Sequence, residues 1–540
     1  MNRRTFLQSA LYSSLLYGAG GFPGLVRESH AGFVPLQDKI LCNLFMNGGP
    51  DFRHLIVPEF SSSPNTFGNK YWKNRWRSHA LENDNNATLQ QRWNDDYYKI
   101  TVGGSGWNGQ TDAGGLNSNV TFGIWREASW LIDMFRSGNV ALVFNAVGGT
   151  SRAHDVDSLR LNQGNVLSGL NDKSRSGWGG RLARSASGNS ISITNTPNAF
   201  TFGPVGNAPN YNPNAIDNRD LITVQNSRNM GLNEADLTED QAFRPNMRMA
   251  RALKNYYTSL RSEQVSESYQ KFMDHESKVR TFGELIRARL SDLETPIEIQ
   301  ALRDAVYDNG QAINPEPGTN NPRRVLRNSY SFGMQIRNLF DVMASNDLLG
   351  LRTVSMEYGG WDSHAGQREV NDDFDLNDPN YQRGIENGFK DIFGGQFGAS
   401  PSNPNALHGG YSALWKNLTQ ADRNKIVLTV AGEFGRQIRD NGDRGTDHGA
   451  GNLMLVISDQ VRGGIYGEMF PDDEIDKYDD ESLNSPDIDP RTDIDYLFSA
   501  VSNWVVPGSA NSVFPRLTAT GLDPEDQPRI ETGVTFANLF

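Results

Sequence analysis

The chain has 540 residues, with 51 lysine and arginine residues against 64 aspartate and glutamate residues, and a formal net charge of −13. This acidic balance disfavours nonspecific binding to nucleic acid or to anionic membranes, because such binding needs clustered lysine and arginine. The composition is otherwise that of a globular protein and excludes collagen-like and coiled-coil chains. The single cysteine, Cys42, excludes an intramolecular disulfide and by itself indicates a reducing compartment.

The N-terminus indicates export instead. Arg3 and Arg4 precede a weakly apolar stretch at 9–21, which is the pattern of a twin-arginine signal peptide. The apolar stretch is shorter than the roughly 20 residues that a membrane span needs, and no later stretch is long enough. We expect a signal peptide at 1–31, export of the folded protein by the twin-arginine machinery, and a periplasmic or secreted product. A basic cytosolic N-terminus is the alternative.

Short apolar runs alternate with helical patterns through the rest of the chain. The runs lie at 39–46, 139–147, 351–358 and 425–430, and the helical patterns at 122–136, 247–260, 269–293, 324–345 and 411–418. Continuous runs of this kind are typical of strands buried on both faces. The alternation predicts an α/β fold with a mostly parallel sheet and helices on both faces.

The segment 32–540 is expected to form one domain with two decorations. The segment 61–115 is rich in asparagine, glycine and tryptophan, so we predict an insertion beside the site rather than part of the core. The segment 471–495 is acidic and is predicted to be a solvated stretch. It lacks the Asp-x-Asp-x-Asp-Gly spacing of a specific calcium loop.

Each of the four apolar runs ends at a glycine followed by polar or ionisable side chains. Because ligands in such sheets bind beyond the carboxyl ends of the strands, these side chains can converge. The candidate pairs are His54 with Asp51, His154 with Asp155 and Asp157, His364 with Asp362, and His448 with Asp447. Carboxylate and imidazole ligands on rigid strand ends fit a divalent cation. For each pair the alternative is an aspartate that holds a histidine or caps a helix.

Two hydroxyls and two arginines complete the candidate site. Thr150 and Ser151 follow the second apolar run and precede a predicted helix, where a hydroxyl activated by a metal could attack phosphorus or sulfur. The alternative is that Ser151 only caps that helix. Arg152 and Arg436 are candidate oxyanion clamps, although surface ion pairing is the commoner role of an arginine.

Together these motifs resemble a known family. They are LCNLFMNGGPDFRHLIVP (41–58), VALVFNAVGGTSRAHD (140–155), GGWDSHAGQ (359–367) and VLTVAGEFGRQIRDNGDRGTDHGAGNLMLVI (427–457), with shorter matches at 177–184, 461–468 and 492–498. The chain resembles the twin-arginine-exported bacterial family known as domain of unknown function 1501, which is grouped with the alkaline phosphatase and sulfatase superfamily.

The resemblance implies an alkaline phosphatase-like fold with divalent metal ions (zinc, calcium, magnesium or manganese) around a serine or threonine nucleophile. It implies that Asp51 shares one metal with the nucleophile, and that Asp362, His364 and His448 bind the other. Glu433 stands where the superfamily has an aspartate followed by a histidine.

Two departures from the family pattern bear on the metal and on the nucleophile. Phe434 replaces the expected histidine after Glu433, so that His154 or Asp157 is the candidate substitute, or the site holds a single metal. Ala153 stands where the family has a serine, which leaves Ser151 or Thr150 as the nucleophile.

The resemblance and the residues lead to two functional hypotheses. The first is an exported metal-dependent hydrolase of phosphate or sulfate esters, acting on a small molecule or a glycan. The second is a non-catalytic exported binding or surface protein on the same scaffold. Phe434, Ala153 and the tryptophans of the 61–115 segment, which could stack on sugar rings, favour the second. The sequence does not give the oligomeric state.

Overall fold

The computed structural model describes residues 33–104, 107, 117–164, 174–194, 196–207, 210–227, 286, 288–291, 293–296, 298–299, 307–308, 311–312, 327–368, 384–395, 410–478, 487–524 and 526–540. The predicted signal peptide, the helical pattern at 247–260 and most of the pattern at 269–293 lie outside these residues. So do much of 105–116 and the part of the acidic segment at 479–486.

Eighteen strands lie in the described part of the chain. They are β1 Ile40–Asn47, β2 Ile56–Pro58, β3 Tyr97–Thr101, β4 Thr121–Trp125, β5 Val140–Val147, β6 Asn189–Ser192, β7 Pro204–Val205, β8 Asn212–Ile216, β9 Leu221–Thr223, β10 Tyr307–Asp308, β11 Gln311–Ala312, β12 Leu351–Gly359, β13 Ile426–Ala431, β14 Gly435–Asp440, β15 Thr446–Gly449, β16 Asn452–Ile457, β17 Gly464–Tyr466 and β18 Thr492–Asp493.

The described residues also contain thirteen α-helices. They are α1 Phe52–Leu55, α2 Phe67–Arg75, α3 Asn86–Asp96, α4 Ser129–Arg136, α5 His154–Gln163, α6 Trp178–Ser185, α7 Arg327–Ala344, α8 Asn346–Leu349, α9 Ile385–Phe393, α10 Gly410–Lys416, α11 Gln420–Arg423, α12 Ile494–Val505 and α13 Ala510–Val513. Three 3₁₀ helices lie at Ala199–Thr201, Asp472–Tyr478 and Pro515–Thr518.

The centre of the fold is a nine-stranded, mostly parallel sheet. Its order is β17-β5-β16-β13-β1-β12-β6-β9, with β18 paired to β5. β1 is parallel to both neighbours, β12 and β13, while β16 runs antiparallel to β13 and β5. The prediction of a mostly parallel sheet in an α/β fold is therefore confirmed, with β16 as the one reversed strand of the described sheet.

Alternate residues of β1 belong to two separate cores. Leu44 points into a core that also contains Leu339 of α7 and Phe389 of α9, whereas Phe45 points into a core that contains Leu182 of α6 and Leu497 of α12. This alternation follows from the two-residue period of a strand. It means that helices cover both faces of the sheet, as the buried apolar runs predict.

Two local predictions are wrong. The helical pattern at 122–136 contains strand β4 before α4 begins at Ser129, because the Thr-Phe-Gly-Ile-Trp stretch pairs with β2 and β3. The 61–115 segment also contributes to the core: Trp72 and Trp93 are 0% and 3% exposed. The high average polarity of the segment hides the large apolar side chains that α2 and α3 bury.

The helices of the described residues are all too short or too polar to cross a bilayer. Even α7, with 18 residues, carries polar and charged side chains along its length.

Candidate metal centre

The candidate residues meet at the carboxyl ends of parallel strands. Asp362 and His364 lie on the loop after β12, Glu433 on the turn after β13, and His154 begins the helix that follows β5. His448 joins them from β15, which pairs with β14 in a two-stranded hairpin that continues from the Glu433 turn. The predicted convergence at this edge of the sheet is therefore present for these five side chains.

A glycine allows the β1 loop to approach the Asp362 loop closely. Gly48 has a φ of +118°, and a Cβ there would lie 2.5 Å from the Asp362 backbone nitrogen. Its own N–H donates to Glu433 Oε1 at 2.9 Å. The Gly-Gly turn after β1 thus fits between two of the candidate side chains, where a larger residue would separate them.

Three histidine rings surround the Asp362 carboxylate through their Nε2 atoms. His364 Nε2 and His448 Nε2 each lie 3.0 Å from Asp362 Oδ1. These two nitrogens lie 3.0 Å from each other. His154 Nε2 lies 3.3 Å from Asp362 Oδ2. The carboxylate is therefore shared by all three rings.

The opposite nitrogen of each ring is held by an oxygen. His448 Nδ1 lies 2.9 Å from the Arg152 carbonyl oxygen, His364 Nδ1 lies 2.9 Å from Asp447 Oδ1, and His154 Nδ1 lies 2.7 Å from Glu433 Oε1. A carbonyl or a carboxylate can only accept, so Nδ1 is the donor in each ring. In the neutral ring, Nε2 then carries a lone pair directed towards Asp362.

The charges around Asp362 favour its ionised form. Burial alone would raise the pKa of Asp362, but the hydrogen bond and the positive charge of Arg436 hold this pKa well below its usual range. Partial burial would likewise raise the pKa of Asp447, yet hydrogen bonds from Asn441 and His364 lower it. Both carboxylates are therefore anionic at neutral pH.

This donor set fits a divalent cation. Lone pairs of His364 Nε2, His448 Nε2 and the Asp362 anion face one another at 3.0 Å without an intervening hydrogen in the neutral rings. Ligands about 2.0–2.2 Å from a metal ion lie roughly 3 Å from each other. A ligand histidine that donates its other N–H to a carboxylate or carbonyl is the usual outer arrangement of such sites.

Glu433 contacts the His154 ring of this cluster from the buried side. It is fully buried, and its Oε1 accepts from both the Gly48 N–H and His154 Nδ1. Its Oε2 is buried without a hydrogen-bond partner among the described residues. Phe434 stands where the family resemblance leads us to expect a histidine. Its ring centroid lies 4.1 Å from that of His448 and 4.9 Å from that of His154.

Asp51 lies in a different network. Its Oδ2 forms an ion pair with the buried Arg75 and accepts from Gln367 Nε2 at 2.6 Å. Asp51 Oδ1 is buried without a hydrogen-bond partner in the described part of the chain. Among the described contacts, none joins the Asp51 carboxylate to the three histidines or to Asp362. The structure therefore does not bring Asp51 into the Asp362 cluster.

The loop with the candidate nucleophiles passes beside the cluster. Ser151 Oγ donates to Asp157 Oδ1 at 2.7 Å and accepts from the Ala153 N–H at 3.2 Å. The buried Asp157 also accepts from the Arg152 N–H at 2.7 Å, so its carboxylate serves this turn and not the histidine cluster. Thr150 is exposed at the start of the loop.

The two candidate oxyanion clamps are both bound to protein groups. Arg152 has a φ of +57° and forms an ion pair with Asp487. The guanidinium of Arg436 is fully buried and donates to Asp362 Oδ1 at 2.7 Å and to the carbonyls of Gly48 and Gly49. Arg436 therefore joins the β1 loop to the Asp362 loop, and its buried position does not present it to a ligand.

Sequence reasoning misses several residues that connect these networks. The sequence pairs Asp447 with its neighbour His448, whereas Asp447 binds His364. Gln367 connects Asp51 to the His448 strand through Thr446. His79, which has no acidic neighbour in sequence, stacks on His54 with ring centroids 4.2 Å apart. The only hint in the sequence is the position of Gln367 at the end of the GGWDSHAGQ motif.

A comparison with known protein families gave a match for part of the chain. Residues 223–488 match the family described as "Protein of unknown function (DUF1501)", and this segment includes Asp362, His364, Glu433 and His448. Neither the curated proteins nor the solved structures gave a match. The segment 223–488 is therefore similar to the DUF1501 family.

Proposed function

We propose that this protein is an exported metal-dependent hydrolase of phosphate or sulfate esters, with an alkaline phosphatase-like active site at the carboxyl edge of its sheet. One observation carries the proposal: three imidazole Nε2 atoms surround Asp362 while each Nδ1 is hydrogen-bonded to an oxygen. This is the arrangement of a metal site with its outer hydrogen bonds, more than of a structural ion pair.

Asp362, His364, His448 and His154 are the residues that would hold a divalent ion such as zinc, manganese, magnesium or calcium. Such an ion would act as a Lewis acid on an ester oxygen and stabilise the charge that develops during attack. Asp447, Glu433 and the Arg152 carbonyl orient the rings. The site is open to solvent, since the side chains of Asp362 and His154 are 44% and 39% exposed, and a soluble ester can therefore reach it.

Ser151 is the proposed nucleophile. Its Oγ already donates to Asp157 Oδ1, so Asp157 can take the proton as Ser151 Oγ forms a bond to phosphorus or sulfur. The bond to the ester oxygen breaks in the same step, and the proton held by Asp157 passes to this oxygen, which leaves as an alcohol. Water then releases the covalent intermediate and returns the proton to Ser151. Thr150, exposed one residue earlier, is the second candidate hydroxyl.

The proposal extends to the compartment and the substrate. The Arg3-Arg4 pattern supports export by the twin-arginine machinery as a folded, metal-loaded protein, which suits a periplasmic or secreted hydrolase with one cysteine. The substrate is an anionic ester of a small molecule or a glycan. The aromatic segment no longer supports a sugar-stacking surface at Trp72 or Trp93, because both rings are buried.

The test is a comparison of metal content and turnover. We expect the purified protein to retain a divalent metal and to hydrolyse an aryl phosphate or an aryl sulfate, with activity lost on chelation and restored by metal. The double variant Asp362→Ala, His364→Ala should lose both properties, and full activity in this variant would exclude the proposed site.

The alternative is a metal-binding protein without turnover. It is favoured by the engagement of Ser151 Oγ in the turn that Asp157 caps. A protein that retains metal through Asp362 but turns over no ester across a panel of phosphates and sulfates would support this alternative. Loss of turnover in Ser151→Ala with normal metal content would instead support the hydrolase.

A further inference from the structure

We infer that Gln367 is a positioning residue for the metal centre, through a buried side-chain amide that fixes the Asp362–His364 loop against the strand of His448. This role rests on the proposed metal site. Gln367 is 1% exposed and lies three residues after His364, at the junction of three networks.

The amide of Gln367 uses all of its hydrogen-bonding capacity. Nε2 donates to Asp51 Oδ2 at 2.6 Å and to His54 Nδ1 at 3.3 Å. Oε1 accepts from Thr446 Oγ1 at 2.8 Å and from Ser363 Oγ at 3.3 Å. A primary amide has two N–H donors and an oxygen with two lone pairs, so each of its four hydrogen-bonding positions has one partner.

The partners determine the orientation of this amide. Asp51 Oδ2 is the oxygen that is ion-paired with Arg75, and it must receive a donor from Gln367. His54 Nε2 lies 2.8 Å from Glu386 Oε1, so His54 donates there and presents the Nδ1 lone pair to Gln367. Burial lowers the pKa of His54, which agrees with this neutral ring. Of the two ends of this amide, only Nε2 can donate to both Asp51 and His54.

The contacts of Gln367 connect the elements that carry the ligands. Thr446 lies two residues before His448 on β15, and Ser363 lies between Asp362 and His364. The Gln367 N–H donates to the Arg444 carbonyl at 2.9 Å, and the Thr446 N–H donates to the Ser363 carbonyl at 3.1 Å. Backbone hydrogen bonds therefore join the Asp362–His364 loop to the β14–β15 hairpin. The Gln367 amide then fixes the position of this loop relative to the hairpin.

No other residue type preserves these four bonds. Methionine matches the size of glutamine but removes one of the donors to Asp51 Oδ2 and the acceptor of Thr446 Oγ1, and lost hydrogen bonds of buried groups are costly. An ionised glutamate places an acceptor against the Asp51 carboxylate. In both cases we expect the loop to shift, which moves Asp362 and His364 relative to His448.

The experiment is a titration of the metal-free full-length protein with Co²⁺, followed by visible absorption. Gln367→Met should weaken Co²⁺ binding by about 10–100-fold, the usual effect of losing an outer hydrogen-bond partner, and should change the absorption bands. Gln335→Met is the matched control. Gln335 is a buried amide that donates to the Glu357 carbonyl and accepts from the Glu357 N–H on β12, and neither bond involves the Asp362–His364 loop or β15. It should lower thermal stability yet leave the Co²⁺ spectrum unchanged and the affinity within about threefold.

A second variant covers the case in which Gln367→Met does not fold. Thr446→Val is isosteric and removes only one hydrogen bond of the amide, so it should weaken Co²⁺ binding several-fold with a smaller change in the spectrum. Wild-type spectra and affinities in the folded Gln367→Met and Thr446→Val variants would overturn the positioning role while leaving the metal site intact. A wild-type protein that binds no Co²⁺ would overturn the proposed function and the positioning role together.

Discussion

His364 Nε2 and His448 Nε2 lie 3.0 Å apart, although their rings come from segments 84 residues apart in the chain. In each ring the Nδ1–H donates to an oxygen: that of His364 to Asp447 Oδ1 and that of His448 to the Arg152 carbonyl. In the neutral rings, two lone pairs and the Asp362 anion therefore face one another. This mutual repulsion is relieved when a cation lies between them, so a bound divalent ion should stabilise this arrangement of the rings.

The proposed role of Asp362 as the shared ligand predicts a selective effect of charge removal. Asp362→Asn should weaken Zn²⁺ binding by more than about 100-fold, since it removes the one anion that contacts all three rings and outer partners alone contribute about 10–100-fold. The measurement is a Zn²⁺ titration of the metal-free protein.

The control for this change is Asp155→Asn. Asp155 neighbours His154 on α5, but it is exposed and its Oδ1 accepts only from the Val156 N–H within the described contacts. Its Zn²⁺ affinity should stay within about threefold of the wild type, in line with weak screened surface charges. Equal losses in the two variants would mean that general electrostatics, not ligation, governs binding.

The close approach of the β1 loop predicts that Gly48→Ala disturbs the metal centre. With a φ of +118° at Gly48, the new Cβ would lie 2.5 Å from the Asp362 nitrogen, so the Asp362 loop has to move. Gly508→Ala is the matched control, since Gly508 has a φ of +83° with no atom within 4 Å of a Cβ. Both should lose stability, by about 1–2 kcal/mol for Gly508→Ala from backbone strain alone, but only Gly48→Ala should lose metal affinity. Denaturant unfolding and metal titration measure the two effects, and unchanged affinity in Gly48→Ala would contradict the packing argument.

The burial of Asp495 predicts a pH-dependent stability. Burial is the main cause that raises the pKa of Asp495 from 3.8 to about 7. A carboxyl with a raised folded pKa binds its proton more tightly in the folded state. Its contribution to stability is therefore greatest below the unfolded pKa and falls as the pH rises towards about 7.

Asp495→Asn should remove this pH dependence. Relative to the wild type, its free energy of unfolding should rise by on the order of 2–4 kcal/mol between about pH 4 and about pH 8. Asp523→Asn is an exposed control that should run parallel to the wild type. A constant difference between Asp495→Asn and the wild type across this range would contradict a raised pKa.

The packing of the 61–115 segment predicts a stability effect that a sugar-binding surface would not produce. Trp72 is fully buried, with its indole Nε1–H donating to the Pro58 carbonyl at 3.0 Å. Trp72→Ala should lower the free energy of unfolding by about 3–5 kcal/mol. Trp76 lies one helical turn after Trp72 and is only half-buried. Trp76→Ala should therefore lower the free energy of unfolding much less. Similar small losses in both variants would show that α2 is not part of the core.

The sequence predicts the scaffold of the site better than its hydrogen bonds. The buried runs predict β1, β5, β12 and β13 to within a residue or two, because a strand covered on both faces needs continuous apolar residues. Since parallel strands end at one edge, the convergence of Asp362, His364 and Glu433 follows from the same pattern, whereas His448 reaches the site on the β14–β15 hairpin.

The remaining features depend on contacts that no local pattern contains. Asp51 pairs with Arg75 across the fold, and Asp447 serves His364 rather than its neighbour His448. Gln367 is uncharged and is not a usual metal ligand. Its role is therefore apparent only from its four hydrogen-bond partners. The burial of Trp72 is not visible in the sequence, because it lies among polar residues and α2 also buries Asn69, Lys70 and Arg75.

The central claim is that Asp362, His364, His448 and His154 bind one divalent ion directly. X-ray absorption spectroscopy of the zinc-loaded protein measures this most directly. We predict a first shell of nitrogen and oxygen atoms at about 2.0–2.1 Å, with outer-shell scattering from three imidazole rings that decreases by one ring in His364→Ala. A protein that retains no zinc, or a zinc shell without imidazole scattering, would contradict the account.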